Sequence, residues 1–507
     1  MFNNGQNVTD TRRTRVLVPI VAAGILILAA PVATALPTAE QAVLGAGDPG
    51  PRDSFGNSVS MSGDTVLVGA DHRAQSLDGV GSVYVWVRDG ITWTQQAKLS
   101  PLDGAFGDAF GWSVSVWGDT ALIGARRDDD AGDSSGSAYV FVRNGGIWTQ
   151  QAKLTAFDAD VLDGFGFAVA LDGDTALVGS PGDDDAGSVS GSAYVFTRNG
   201  SVWTPQAKLT ALDAGLMDEF GFSVSLSGST ALIGARFDDH AGSGSGSAYV
   251  FTRTGSVWTQ QEKLVASDAA SGDAFGWSVA VSGDDAVVGA PFDGVSNSDV
   301  GAAYVFTRSG TSWSEQTKLV ASDASAFELY GFAVGILGDA ALVGAPVDND
   351  SKDAPGSTYL YTRDGTVWTE HSKLVASNGE NFQMYGNSIS MSGDSAVIGA
   401  PDDDEDGPGQ AYVLVPAPEE KIEALIAAVE ALQTAGILNK GQAQGIIRPL
   451  ENALRSLDNG KLLPACSQLF DFILGVGELI DDGILSLMQG QPLIDQAELC
   501  RQALGCP

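Results

Sequence analysis

Four short runs of apolar residues recur along the chain and are separated by stretches rich in Gly, Ser and Asp. In one unit the runs are Phe275 to Val281, Ala286 to Gly289, Ala302 to Arg308 and Trp313 to Leu319. The first run alternates apolar and small residues, as a half-buried strand does, and the second is continuously apolar, as a strand buried on both faces is. A tight Ser-Gly-Asp turn joins these two runs. The pattern therefore predicts units of four short antiparallel strands.

The unit occurs seven times with a period of 55 residues. Each copy begins with an aromatic-Gly pair, at Phe55, Phe110, Phe165, Phe220, Phe275, Tyr330 and Tyr385. The seventh copy stops after its third run, whereas an extra strand-like segment, Glu40 to Leu44, precedes the first copy and resembles Gln95 to Leu99. An N-terminal strand that completes the last unit would close a ring and remove both sheet edges. A solenoid, the alternative arrangement of such units, would need polar caps instead of this strand. We predict an all-β seven-bladed β-propeller over residues 36–416.

These motifs resemble the FG-GAP repeat family, whose best-known members are the propellers of integrin α-chains. A bacterial variant of that repeat, with an Asp-Asp-Asp loop and a Ser-Ala-Tyr-Val-Phe strand, is more similar still, as in Asp183-Asp184-Asp185 and Ser192 to Phe196. The resemblance covers residues 40–416. It implies a bacterial propeller with an interaction or adhesion role, and it indicates fold more specifically than function.

The first 35 residues are typical of a signal peptide. Arg12, Arg13 and Arg15 form a basic region, Val16 to Ala30 is apolar, and Ala33-Thr34-Ala35 is a small-residue cleavage site. An uncleaved membrane anchor is the alternative interpretation. We predict a secreted or cell-surface protein whose mature chain is not inserted in a membrane.

After a Pro-Ala-Pro linker the composition changes, and residues 417–507 are predicted to form a small all-α domain. Helical periodicity indicates four helices, at about 419–435, 440–457, 464–481 and 489–504, in two hairpins. All three cysteines lie in this segment. Antiparallel packing of the last two helices favours a disulfide between Cys466 and Cys500, with Cys506 as the competing partner of Cys466.

The chain has a formal net charge of −36, so its surface repels phosphate backbones and nucleic acid is not an expected partner. A surface of this charge attracts cations or a basic partner, although it also serves simply to keep a protein soluble. We predict a monomer that binds an extracellular protein or a polysaccharide.

Two sets of connections carry acidic residues and should emerge on one rim of the propeller. One set, between the fourth strand of a blade and the first strand of the next, has acid pairs five residues apart, such as Asp103 and Asp108. The other set, between the second and third strands, supplies candidate Ca2+ ligands, namely Asp128, Asp129, Asp130, Asp183, Asp184, Asp185, Asp238, Asp239, Asp348, Asp350, Asp402, Asp403 and Asp404. The competing interpretation is that these carboxylates cap turns.

The integrin resemblance also implies Ca2+, but its ligands cannot be transferred. In integrins the Ca2+ loop lies between the aromatic-Gly and Gly-Ala-Pro elements, where this chain has only a tight turn, as at Ser282-Gly283-Asp284. Ca2+ binding is therefore a hypothesis based on the acid clusters, and no other cofactor is predicted.

Catalysis finds little support in the sequence. His72, His240 and His371 occupy unrelated phases of the repeat, which disfavours a His-based triad or a zinc site. A Trp recurs in one phase, as at Trp148, and is expected to pack between blades rather than stack on sugars. Trp112 and Trp277, next to the aromatic-Gly pair, are better candidates for ligand contact at the central channel. We predict a non-catalytic binding module. The alternative is a polysaccharide hydrolase or lyase with its site at the propeller mouth.

Overall fold

The computed structural model describes residues 35–48, 53–71, 79–294, 300–348, 356–378, 383–401 and 409–506. In this part of the chain, 28 strands form seven four-stranded antiparallel sheets, and four helices follow them. The seven sheets are the blades of a propeller, as the repeat predicts. The predicted signal peptide lies outside the described residues except for its last residue, Ala35.

The strands are numbered in chain order, and β1 (Ala39–Leu44) precedes the first blade. Blades 1 to 3 consist of β2 (Val59–Ser62), β3 (Thr65–Ala70), β4 (Ser82–Asp89) and β5 (Thr92–Leu99); β6 (Phe110–Trp117), β7 (Thr120–Ala125), β8 (Ser137–Asn144) and β9 (Ile147–Leu154); and β10 (Ala168–Asp172), β11 (Thr175–Ser180), β12 (Ser192–Asn199) and β13 (Val202–Leu209). Blades 4 to 6 consist of β14 (Phe220–Ser227), β15 (Thr230–Ala235), β16 (Ser247–Thr254) and β17 (Val257–Leu264); β18 (Ser278–Ser282), β19 (Asp285–Ala290), β20 (Ala302–Ser309) and β21 (Ser312–Leu319); and β22 (Ala333–Leu337), β23 (Ala340–Ala345), β24 (Ser357–Asp364) and β25 (Val367–Leu374). Blade 7 contains β26 (Ser388–Ser392), β27 (Ser395–Ala400) and β28 (Gln410–Val415).

The N-terminal strand closes the ring. Strand β1 pairs antiparallel with β28, with Ala39 opposite Val415 and Leu44 opposite Ala411, and so supplies the fourth strand of blade 7. The strand order β1-β28-β27-β26 joins the two ends of the array in one sheet, as predicted. Both ends of the array are thereby paired, which removes the open edges that a linear array would have to cap.

Neighbouring blades interlock through the two glycines of each repeat. A Cβ atom at Gly69 of blade 1 would lie 2.2 Å from the carbonyl oxygen of Gly111 in blade 2. The same contact closes the ring, since a Cβ atom at Gly399 of blade 7 would lie 2.0 Å from the carbonyl oxygen of Gly56 in blade 1. Only glycine fits such an approach, and this explains why both elements of the motif contain it.

The apolar core lies between blades rather than in one central mass. Trp148 on the outer strand of blade 2 packs with Leu67 and Val85 of blade 1. Its indole Nε1 donates to Oε1 of Gln96 at 2.8 Å, and the guanidinium of Arg143 lies 5.1 Å from its ring. The repeated Trp residues of the six Trp-bearing strands are 6–9% exposed, so they are blade-packing residues, as expected.

The two rims of the propeller differ in their connections. The loop rim contains the connections from fourth to first strands and from second to third strands, and the hairpin rim contains the tight turns such as that at Gly63. Parallel bridges, for example from Gly136 to Phe165, join the loop rim of one blade to the next. The acidic connections therefore share one rim, as the strand tracing predicts.

The C-terminal domain contains α1 (Pro418–Thr434), α2 (Lys440–Asp458), α3 (Leu462–Asp481) and α4 (Leu487–Ala503). Its core includes Ile422, Leu450, Leu469 and Phe472. The sequence Gly-Ile-Leu occurs twice in this domain, beginning at Gly436 and at Gly483. The two copies follow α1 and α3 and end these helices in the same way, with each glycine at positive φ. Each helical hairpin therefore uses the same turn.

The helical domain contacts the hairpin rim near blade 7. Lys421 of α1 forms a 3.6 Å ion pair with Asp394, which lies in the turn between β26 and β27. Glu420 accepts a 2.7 Å hydrogen bond from Thr38, next to β1. The loop rim on the opposite side is left clear of these contacts.

Among the described residues, α3 is long and apolar enough to span a membrane by length and composition alone. Core helices of bundles pass the same test. Here Leu469, Phe472 and Val476 of α3 are fully buried in the core of the helical domain, whereas Leu463 and Leu474 are exposed.

The preferred disulfide was wrong. Cys466 bonds Cys506, with a Cα–Cα distance of 5.5 Å, and Cys500 is a free, buried thiol. Leu493, Ala497 and Cys500 share one buried face of α4, so the helical phase directs Cys500 into the core. The chain turns at Gly505, which has a φ of 66°, and the competing cysteine then reaches the start of α3. Burial raises the pKa of the Cys500 thiol to about 12.

We expect peptide mapping without reduction to find Cys466 linked to Cys506. Cys500 should resist iodoacetamide in the native protein and react with one equivalent after unfolding, because its thiol is buried and protonated. A Cys500→Ala variant, which keeps the disulfide, is the control and should show no labelled peptide in either state. A peptide joining Cys466 to Cys500 would contradict the structure.

Candidate ligand-binding rim

The acidic loops of the rim converge on a lysine in each of blades 2 to 6, and Lys98 of blade 1 forms a reduced version with Tyr84 and one loop carboxylate, Asp48. In blade 3, the Lys208 ammonium lies 2.8 Å from Asp158 in one loop and 2.8 Å from Asp183 in the other. The Tyr194 hydroxyl donates to the same two carboxylates at 2.8 and 2.6 Å. We call this arrangement of a lysine, a tyrosine and the two loop carboxylates the lysine cluster. It fastens both loops to the third and fourth strands of the blade.

The other lysines sit at the same phase and contact carboxylates of their own blade. They are Lys98, Lys153, Lys263, Lys318 and Lys373, each with at least one ion pair of 2.7–3.0 Å. The inner carboxylates, such as Asp128 and Asp183, have side chains only 3–4% exposed. A buried carboxylate needs a partner, and these ion pairs provide one. The inner acids therefore have a structural role in their blades.

Blade 7 changes the lysine and its acids together. Its fourth strand, β1, has Val43 at the lysine position, and its preceding loop has Asn378 and Gln383 in place of the acids. The Tyr412 hydroxyl contacts the amide oxygens of both residues, at 2.6 and 2.9 Å. The blade that lacks the cation therefore also lacks both acids of this loop, as expected if the lysine neutralises the first of them, whereas its second loop keeps Asp402, Asp403 and Asp404, which lie outside the described residues.

The second acid of each loop pair is a buried turn cap. Asp108 accepts a hydrogen bond from the backbone N–H of Ala105 at 2.6 Å, and Asp273 accepts one from Ala270 at 2.6 Å. Asp163 and Asp218 make the equivalent contact in blades 3 and 4. These carboxylates have the role that the turn-capping interpretation predicts.

The candidate Ca2+ ligands divide into inner and outer residues. Asp128, Asp183, Asp238 and Asp348 are inner residues held by the lysine clusters. Asp129, Asp130, Asp184, Asp185 and Asp239 are outer residues exposed to solvent, of which Asp130 and Asp185 also contact the cluster lysine. Asp350, Asp402, Asp403 and Asp404 lie outside the described residues. Among the residues that are described, no group of three or more His, Cys, Asp or Glu side chains is arranged to hold a metal.

The two acids of a loop pair have pKa values shifted in opposite directions. Burial, with a contribution from the nearby charge of Asp293, raises the pKa of Asp273 from 3.8 to about 6. Burial also acts on Asp268, but hydrogen bonds from Lys318 and Tyr304 outweigh it and lower the pKa of that carboxyl. The fold therefore disfavours the ionised form of Asp273, the turn cap, and stabilises the ionised form of Asp268, the carboxylate that pairs with Lys318.

Five aromatic residues form an arc next to the innermost strands. Trp112, Phe167, Phe222, Trp277 and Phe332 follow the aromatic-Gly pairs of blades 2 to 6, with successive ring centroids 4.9–5.5 Å apart. All five are half-buried. The arc includes both tryptophans that the sequence pointed to at the channel.

A cavity of about 350 Å³ opens on the loop rim at blades 2 to 4 and was not anticipated from the sequence. Its lining includes Arg126, Arg127, Arg236 and Glu219. The indication was present in the repeat, because Arg126 and Arg236 stand where blades 3, 5, 6 and 7 have proline. Of the three histidines, His240 and His371 lie on different blades, and His72 is outside the described residues.

We expect Lys263→Val in blade 4 to destabilise the propeller by about 3–5 kcal/mol, because it leaves the buried carboxylate of Asp238 without its cation. Adding Asp213→Asn and Asp238→Asn, which removes the two anions that Lys263 neutralises, should recover part of the loss. Thermal unfolding measures both effects, and Lys440→Val on the exposed surface of α2 is the matched control. A triple variant less stable than Lys263→Val would contradict the counter-ion role.

We expect Asp273→Asn to be more stable than the unchanged protein above pH 6. The folded-state pKa of Asp273 is raised to about 6. The contribution of this side chain to the free energy of unfolding is therefore fully present below its ordinary pKa of 3.8 and is lost as the pH rises through about 6. The difference in unfolding midpoint should therefore vanish at low pH. Asp268→Asn should show the opposite sign, with a loss at neutral pH that shrinks on acidification. Equal pH profiles for the two variants would contradict this assignment.

Comparison with known families agrees with the blade geometry. The FG-GAP repeat family matches residues 38–86, 93–141, 148–196, 203–251, 258–306, 313–361 and 368–414. Each match begins on or next to the outer strand of one blade and ends on the third strand of the next, and the glycine contact between blades joins successive matches, as Gly69 and Gly111 do. A search of curated proteins finds no similar sequence. With seven matches that together cover more than half of its length, the chain belongs to the FG-GAP repeat family.

Proposed function

We propose that this protein is a secreted or cell-surface, non-catalytic binding module whose loop rim engages an extracellular protein or polysaccharide. The FG-GAP propeller is a fold of binding and adhesion modules, and proteins with this repeat are often extracellular or on cell surfaces. The observation that carries the proposal is the loop rim itself, on which five complete lysine clusters, in blades 2 to 6, hold paired loops to a closed ring.

The chemistry of the rim favours binding over catalysis. Its buried acids serve as lysine counter-ions, as Asp183 does, or as turn caps, as Asp163 does. A carboxylate that already serves one of these roles is a poor nucleophile or proton carrier, since its loss would also loosen the loop. The outer acids Asp129, Asp184 and Asp239 are exposed. Asp129 and Asp239 each accept one backbone hydrogen bond through Oδ1, which leaves their Oδ2 atoms available to a ligand.

Export is supported by the predicted signal peptide and by the Cys466–Cys506 disulfide, because disulfides persist in oxidising compartments. The contact between the helical domain and the hairpin rim leaves the loop rim facing away from it. We propose that the loop rim faces the ligand while the helical domain faces the opposite side.

A glycan and protein array probed with the chain from residue 36 onward tests the proposal. A triple variant, Asp129→Asn with Asp184→Asn and Asp239→Asn, should weaken binding to the hits by at least about tenfold. The control removes three acids from the hairpin rim, at Asp64, Asp119 and Asp174, and should bind as the unchanged protein does. Product formation from a bound glycan would instead support the hydrolase or lyase alternative.

Repeating the array in Ca2+ and in a chelator tests the Ca2+ hypothesis. In the described loops the lysine ammonium lies among the inner carboxylates, so Ca2+ would have to use outer residues such as Asp129 and Asp184. Ca2+-dependent binding is expected to be accompanied by heat in a calorimetric titration and by a rise in the melting temperature. Absence of both in millimolar Ca2+ would remove the metal from the proposal.

A further inference from the structure

The basic residues of the described propeller separate into two groups. Twelve follow the repeat and serve the blades. Six arginines stack on the blade-packing tryptophans, namely Arg88, Arg143, Arg198, Arg253, Arg308 and Arg363. Six lysines form the lysine clusters, namely Lys98, Lys153, Lys208, Lys263, Lys318 and Lys373. The other three, Arg126, Arg127 and Arg236, stand at positions that have neither lysine nor arginine in the remaining blades, and all three line the same cavity of about 350 Å³. In a chain with a net charge of −36, this is a local concentration of positive charge.

The aromatic arc holds two of these arginines in place. The Arg126 guanidinium lies 3.6 Å from the ring centroid of Trp112, and that of Arg236 lies 3.7 Å from Phe222. Nε of Arg236 donates to Glu219 at 2.7 Å. A guanidinium stacked on a ring keeps its N–H donors in its own plane, so a stacked arginine can still bind a carboxylate at its edge.

The third arginine is exposed. Arg127 has no ion pair within the described residues, whereas the cluster lysines are all paired. The cavity therefore presents an available cation together with two guanidinium groups that the arc has already oriented.

At this cavity the sequence departs from the repeat, and the packing of the blades does not require the departure. Blades 3, 5 and 6 build the same turn with proline where Arg126 and Arg236 stand, and the sequence of blade 7 also has proline there. Glu219 stands at a position that adopts positive φ in blades 1 to 6, where the other residues are Ser54, Ala109, Gly164, Ala274 and Leu329. Only blade 4 has a carboxylate there, and this carboxylate holds Arg236.

We propose that this cavity binds the carboxylate of a uronic acid residue at the end of an acidic polysaccharide. The inference rests on the proposed function, for which it names a site and a ligand class. Guanidinium groups recognise carboxylates by paired hydrogen bonds, and the volume falls within the range of about 300–1,000 Å³ that small-ligand sites occupy. Rings such as Phe167 and apolar side chains such as Leu162 can pack against the face of a sugar ring.

The acids in the cavity distinguish a sugar from an acidic peptide. Glu219 and Asp163 can accept hydrogen bonds from sugar hydroxyl groups, whereas they would repel a second peptide carboxylate. The strongly acidic chain likewise repels a run of adjacent carboxylates, so a terminal residue is favoured over an internal one.

Calorimetric titration with trigalacturonate, in 150 mM salt and chelator, tests the assignment. We expect binding that weakens at least about tenfold in Arg127→Ser, which removes an exposed side chain, and in Arg236→Pro, which restores the residue of the other blades. Arg455→Ser on α2 removes the same charge outside the cavity and should bind as the unchanged protein does.

Galactotriose and tri-glutamate complete the experiment. Both should bind at least about tenfold more weakly than trigalacturonate, because one lacks the carboxylate and the other lacks the hydroxyl groups. Equal binding of either probe, no binding of trigalacturonate, or an unchanged affinity in Arg127→Ser would overturn the assignment. If array ligands still depend on the outer acids in that case, the binding rim stands and only the uronate site fails.

Discussion

The close approach of two glycines between neighbouring blades is the constraint on which this propeller depends. The carbonyl of one aromatic-Gly pair lies where the Cβ of the preceding Gly-Ala element would be, as between Gly111 and Gly69. Because the same contact joins Gly56 to Gly399, the spacing between blades is uniform around the ring, including at its closure. The family motif is therefore a packing motif. It fixes how blades meet and leaves the loop rim to be set by other residues.

The loop rim is acidic largely for internal reasons. Each lysine cluster supplies one cation, and acids from two loops surround it, as Asp158 and Asp183 surround Lys208. Blade 7 has no such cation, since Val43 replaces the lysine, and the two acids of its preceding loop are replaced by the amides Asn378 and Gln383. A count of aspartates thus overstates what is available to a metal or a partner, and exposure decides which carboxylates can meet a ligand.

Function in a repeat protein is best sought where one copy departs from the others, because the shared residues already have structural roles. Here the departures coincide at Arg126, Arg236 and Glu219, which line one cavity with an aromatic arc beside it. The ring provides the rigid support, since inner strands of successive blades hold the arc in place. A site of this kind can be built without altering the glycine contacts or the lysine clusters.

The sequence by itself determined the seven blades, the closing strand, the shared acidic rim and the helical tail. These follow from periodicity and local pattern, which a repeat reports seven times over. Only the tertiary structure decided that Asp183 faces a lysine, that Cys506 rather than Cys500 bonds Cys466, and that three arginines from two blades meet. Each depends on the phase of a helix or on contacts between loops distant in sequence, because side-chain direction is set by packing against neighbours rather than by local pattern.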